Sequence, residues 1–225
     1  MEPMTAYSHP VVAAMAPTSE RMAFLRKIYG LLALSTFMAA GAAFMTVSNE
    51  AFLATVAQNQ MLFFALEIGA IFFTFWARKK ETLGLVALFS FTTLTGVTIA
   101  PVLLIYTGAS VVNAALMTGI VFVGLSVYTV ASKKDFTFMG GMLTTGLIVL
   151  VVGGLLNLFF FHSSGTSFLF SAFGAMLFSG FIVFDTFNIL NRYPTDEYIS
   201  ATLTLYLDVL NLFLSLLRLF GGNRD

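Results

Sequence analysis

The sequence contains no cysteine, so disulfides, thiolate nucleophiles and zinc-thiolate sites are excluded and the redox compartment leaves no trace in it. Charge is scarce as well. Only 10% of the 225 residues are charged, and eleven basic and eleven acidic side chains cancel, which removes the basis for a nucleic-acid partner or a polybasic membrane-surface tail. The two histidines, His9 and His162, are too few and too far apart to make a metal site by themselves. No phosphate-binding loop is present, so an ATP-driven pump is excluded. A cleavable signal peptide is not evident either, because the first residues are small and polar and are broken by Pro3, Pro10 and Pro17. What the chain has is apolar surface: 58% of it is hydrophobic, 26 residues are Phe, and a mean hydropathy of +0.91 is that of a membrane protein.

A helix needs about 20 mostly apolar residues to cross the hydrocarbon. Seven such runs follow one another, at approximately 28–47, 58–77, 82–106, 111–131, 136–160, 166–190 and 198–219. Backbone groups in lipid must be satisfied within the segment, and the alternating pattern of a barrel is missing, so the predicted class is an all-α polytopic membrane protein. Residues 1–20 read as a mobile N-terminal tail and residues 21–225 as one seven-helix transmembrane domain. Arg21, Arg26 and Lys27, the linker Arg78-Lys79-Lys80 and the linker Lys133-Lys134 place the N-terminus and these loops in the cytoplasm. An odd number of crossings then puts the C-terminus outside, against the mild opposition of Arg218 and Arg224; a six-span version with a re-entrant last segment is the alternative. Ser35, Ala39 and Ala43 recur at four-residue spacing in the first span, a seam for close helix packing.

Four charged residues fall within the spans: Glu67, Asp185, Asp208 and Arg218. Each is costly in hydrocarbon, at least about 2.5–3.5 kcal/mol near the centre, so each must face the interior, find a partner or become neutral. Asp185 with Asn188, and Asp208 with Asn211, repeat the pattern Asp-x-x-Asn, which sets each aspartate beside an amide on one helix face. The two segments are consecutive and antiparallel, joined by the turn at residues 191–198. Depth is the difficulty, since Asp185 lies roughly 7 Å and Asp208 roughly 15 Å from the turn at 1.5 Å per residue. If they meet, two carboxylates away from water share one proton. Glu67 and Arg218 are both placed toward the outer face, where they can form a buried ion pair, or Arg218 can snorkel to the interface. Arg78 ends the second span on the same side as Asp185 and can hold that carboxylate, or serve as a plain positive-inside anchor.

The run "GFIVFDTFNIL" and the following "DEYISATLTLYLDVLNLFLSLLRLFGG" resemble the signature of the Bax inhibitor family, also called transmembrane Bax inhibitor motif proteins. The resemblance implies seven helices with the last one central. It implies that Asp185 and Asp208 are a paired pH sensor, that Arg78 is the basic latch on the first of them, and that Glu67 and Arg218 are a second buried acid and base. It also associates bacterial members with a pH-sensitive calcium leak and eukaryotic ones with protection from cell death. The N-terminal tail carries no family feature, and no long basic C-terminal tail follows, so a bacterial cytoplasmic-membrane protein is the expected setting.

The expected function is therefore a calcium-permeable leak channel gated by protonation, with calcium and protons as its ligands and the bilayer as its medium. No tightly bound cofactor is implied. Asp208 and Glu67, with Asn211 and backbone oxygens, offer a sparse, weak set of oxygen ligands for calcium. A non-conducting regulator that acts through membrane protein partners is one alternative. An intramembrane aspartyl protease is another, but the Tyr-Asp and Gly-x-Gly-Asp signatures of presenilin-like proteases are absent: Asp185 follows Phe184, and Asp208 sits in "LYLDVLN". The chain is therefore not read as an enzyme.

Overall fold

The computed structural model describes residues 11–132, 134–157 and 164–221. Tail residues 1–10, His162 and Arg224 lie outside the described residues. Among the rest are eight helices: α1 Thr18–Val47, α2 Glu50–Gln58, α3 Gln60–Ala77, α4 Glu81–Leu103, α5 Gly108–Ser132, α6 Met139–Leu156, α7 Ser164–Asn191 and α8 Tyr198–Phe220. All but α2 are long and apolar enough to cross a membrane. The protein is an all-α, seven-span membrane protein. The last span is one continuous helix of 23 residues, so the re-entrant alternative does not form.

α8 is the central helix. It packs against α7, α5 and α1 and more sparsely against α4, whereas α3 rests on α4 and α2, and α6 on α7. The residues from Tyr198 to Leu203 are buried one after another, which happens only where a helix is surrounded. α6 buries Leu143 and otherwise faces outward; on α3, Phe72 and Trp76 do the same, as lipid-facing helices do. Pro101 sits inside α4, which ends two residues later, in keeping with the missing N–H and the clash a proline brings. α1 and α4 meet along the small-residue seam, where Ser35, Ala39 and Ala43 are buried. Gly96 makes this possible, since a Cβ there would overlap the backbone carbonyl of Ala39.

Two features differ from the sequence reading. The linker between the first two spans holds α2, which Asn49 initiates by accepting a hydrogen bond from the Phe52 amide at 3.0 Å. The N-terminal segment is not a free tail from Val11 onward. α1 begins at Thr18, ten residues before the apolar run, and its 30 residues span about 45 Å, well beyond the hydrocarbon thickness of about 30 Å. The surplus end carries Arg21, Arg26 and Lys27. Ahead of it, Val12 pairs with Pro194 in an antiparallel bridge, and Ala13 is fully buried. The reason is apolar contact: Ala13, Phe24 and Ile28 belong to one core cluster with Tyr198 and Ile199, so this segment covers the first turn of α8.

Candidate functional site

Asp185 on α7 and Asp208 on α8 come together. Their carboxyl groups adjoin, and the Asn188 side chain reaches Asp185 as well. Asp208 is only 6% exposed, while Asp185 is half-buried. The depth difficulty is resolved at the helix ends. Asp185 lies six residues before the end of α7 and Asp208 ten after the start of α8, so the first turn of α8 overshoots α7 by about 6 Å. That overshooting turn is the one covered by Ala13 and α1. Asp208 Oδ2 and Asn188 Oδ1 are buried without a hydrogen-bond partner, an arrangement expensive for a charged group and tolerable for a neutral one. Asn211 does not join the pair. Its Nδ2 donates to the Leu207 carbonyl of its own helix at 2.8 Å, so the two Asp-x-x-Asn motifs are not equivalent.

Arg78 also lies elsewhere than expected. Its guanidinium stands 3.8 Å from the Glu197 carboxylate, and no ion pair with Asp185 forms among the described residues. Glu197 sits on the loop beside the end of α3, and its side chain, 23% exposed, keeps part of its hydration in the pair. Between the two groups stands Tyr193. Its side chain lies beside that of Thr204, one turn before Asp208, and it feels the charges of Asp185, Glu197 and Arg78. Burial, with those neighbouring carboxylates, raises its pKa above the ordinary 10.0, so it is a neutral hydroxyl at physiological pH.

The α7–α8 loop is held from several sides. Ala13 N–H donates to the Tyr193 carbonyl at 2.9 Å, and Thr195 N–H donates to the Val11 carbonyl at 3.1 Å. Thr195 Oγ1 donates to Glu20 Oε1 at 2.7 Å. Arg192 donates to Thr137 Oγ1 of the α5–α6 linker at 2.8 Å, and Thr137 N–H is itself fixed by Asp135 Oδ1 at 2.8 Å. These bonds hold the Asp135 carboxyl below its usual range. Beside the loop, Glu81 Oε1 accepts from Lys27 and from Tyr198 Oη, each at 2.9 Å, with the ammonium 3.5 Å from the Tyr198 ring centroid.

Glu67 and Arg218 do not pair. α3 lies on α4 rather than on α8, so Glu67 meets α4 first: its Oε1 accepts from Thr95 Oγ1 at 3.0 Å, and Thr98 is within reach. Tyr206 of α8 stands next to this group, buried, with an unpartnered hydroxyl. Arg218 is exposed on the last turn of α8, the snorkelling position. Glu67 and Asp208 therefore belong to separate clusters, and among the described residues no three His, Asp or Glu side chains converge as metal ligands.

The family description "Inhibitor of apoptosis-promoting Bax1" matches residues 21–225. The chain belongs to the Bax inhibitor family. The match includes both aspartates, Arg78 and the whole helical bundle. Among relatives similar over nearly their full length, Protein lifeguard 4 of Mus musculus is 37% identical over 215 residues, covering 94% of this chain and 90% of the relative. A Golgi anti-apoptotic protein of Vaccinia virus (strain Lister) is 35% identical over 209 residues, covering 92% and 88%. An uncharacterized membrane protein of Vibrio cholerae serotype O1 is 39% identical over 222 residues, covering 95% and 96%. In this Bax inhibitor family member the residues that sequence reasoning passed over are Tyr193, Glu197 and Thr204 around the aspartates, and Thr95 and Tyr206 around Glu67. Glu197 carried a usable signal: it is an acid on the same side as Arg78, in the turn that leads into α8.

Proposed function

We propose that this protein is a calcium-permeable leak channel, gated by protonation of Asp185 and Asp208, with its N-terminus and the α7–α8 loop in the cytoplasm. The observation that carries the reading is the contact of two carboxyls on the central helix and its neighbour, at the loop end of the bundle and largely away from water. Such a pair holds one proton between two oxygens and bridges α7 to α8. A second proton removes the bridging charge and loosens that contact, and acidification then favours an open arrangement. Tyr193 of the loop stands near Asp185, and Glu197 of the loop and Arg78 at the end of α3 stand near Tyr193. Arg78 acts on the loop through Glu197, and so on the pair at one remove. Calcium is the permeant ion and not a resident one, consistent with a single buried carboxyl pair and hydroxyl or carbonyl oxygens. The basic linkers favour the stated orientation, and the similarity to a bacterial membrane protein fits a bacterial inner membrane.

The test is calcium flux by pure protein in liposomes across pH. Flux that rises on acidification in the parent, and a flattened profile in Asp185→Asn and Asp208→Asn, are the expected results. An unchanged profile in both variants ends the sensor role. A second reading, a non-conducting regulator acting through a membrane partner, is favoured by the anti-apoptotic name of the viral relative. It predicts no flux from the protein alone at any pH.

A further inference from the structure

Nothing in the gating proposal requires the segment ahead of α1, yet that segment is bonded to the loop beside the aspartates. Val11, Val12 and Ala13 lie antiparallel to residues 193–195. Tyr193 is held at its backbone on both sides: its N–H donates to the Asn188 carbonyl at 3.1 Å and its carbonyl accepts from Ala13, while its side chain lies beside that of Thr204. Asn188 and Thr204 lie on the loop side of Asp185 and Asp208 respectively, so the Tyr193 ring lies between the carboxyl pair and the loop end of the bundle. The ring is half-buried, and no covalent link keeps it there. From the N-terminal side it is held by two backbone hydrogen bonds across the bridge and by the hydroxyl bond of Thr195 to Glu20.

We infer that Val11–Ala13 form a strap that holds Tyr193 as a lid over the aspartate pair, so that access from the loop end requires the strap to release. Tyr193 is a positioning residue in this scheme. It holds no ion, but its ring occupies the path beside Thr204 of α8. The inference rests on the gating proposal only for its effect on flux; the closure itself is a matter of access.

The absence of native cysteine allows a direct test in the full chain. Asn188→Cys, one turn from Asp185 and leaving the backbone carbonyl that Tyr193 N–H bonds in place, reports access in lipid nanodiscs that expose both faces by its rate of reaction with a polar maleimide. Ala13→Pro removes the donor to Tyr193, and because Ala13 follows Val12 in a turn closed by Met15 N–H on the Val12 carbonyl at 2.8 Å, proline suits the position. Val12→Cys with Pro194→Cys provides the opposite lock, since cross-strand Cα separations of about 4.5–5.5 Å fall within disulfide reach. The reaction rate is expected to rise roughly tenfold with Ala13→Pro and to fall below the parent value in the oxidised lock. Equal rates in the oxidised lock and in the unlocked reporter chain, each with one free thiol, overturn the strap, even if Ala13→Pro does not fold. In liposomes, Ala13→Pro raises calcium flux at neutral pH and the oxidised lock lowers it at acid pH. If labelling shifts as stated while no variant passes calcium at any pH, the leak reading fails and the strap stands.

Discussion

The two ends of α8 are closed by different means. At its start, six successive buried residues are surrounded by the strap, α1 and α4, and the neighbouring loops add the Arg78–Glu197, Arg192–Thr137 and Lys27–Glu81 contacts. Toward its other end the helix lines an open groove of about 450 Å³, with Ala39, Ala43, Leu103, Tyr206 and the exposed Phe44 and Ala115 among its lining residues. α1 and α5 flank α8 there without packing closely on each other. Polar contacts respond to protons and salt and have discrete made and broken states; an apolar groove offers room for a helix to move without breaking any bond. The paired carboxyls and the polar contacts are thus at one end and the open apolar space at the other. Burial, not sequence position, sets the difference.

The largest expected effect is on the seam that joins the two ends. Gly96→Ala forces α1 away from α4, because the obstacle is the Ala39 backbone and not a yielding side chain. A loss of about 1–3 kcal/mol is expected, read as a lower thermal midpoint in detergent, whereas Gly41→Ala, with nothing within 4 Å of the added Cβ, leaves it unchanged or raised. Filling the groove comes next: because Ala115 is exposed, Ala115→Leu is expected to keep stability within about 0.5 kcal/mol of the parent and to reduce acid-stimulated flux. A stable variant with full flux would show that the groove plays no part in opening. At the polar end, a double-mutant cycle of Arg78→Gln and Glu197→Gln is expected to give a coupling of about 0.2–1 kcal/mol, with none between Arg78 and Asp185. Reversal of those two results would restore Arg78 as a direct latch.

The smallest effect concerns Asp135. Its pKa lies below the ordinary 3.8, so its contribution is present above that value and is lost only as pH falls through the lower, folded one. Asp135→Asn is therefore expected to leave the flux profile unchanged in shape above about pH 4, which would assign the acid response to other carboxyls. A shifted midpoint would place part of the sensor on the α5–α6 linker.

The spans were legible because a bilayer imposes length and apolarity on each helix separately, and that constraint is written locally. The aspartate pair was legible for a related reason: a charge in hydrocarbon must be explained, and consecutive antiparallel helices are neighbours. The partners of the charges were less so. Arg78 went to Glu197 of the loop, which keeps part of its hydration, and Glu67 went to Thr95 because α4 lies between α3 and the end of α8. Neither fact has a sequence signature. Asn211 shows the same limit, since its motif matches that of Asn188 but its amide turns back onto its own helix.

By itself the sequence determined a seven-helix membrane protein, its family and which charges fall within the spans, because the cost of dehydrating a backbone or a carboxylate acts residue by residue. Which charges meet, what covers the first turn of α8, and where the bundle leaves space were decided only by tertiary packing, because they depend on which helices lie side by side and on which faces they turn to one another.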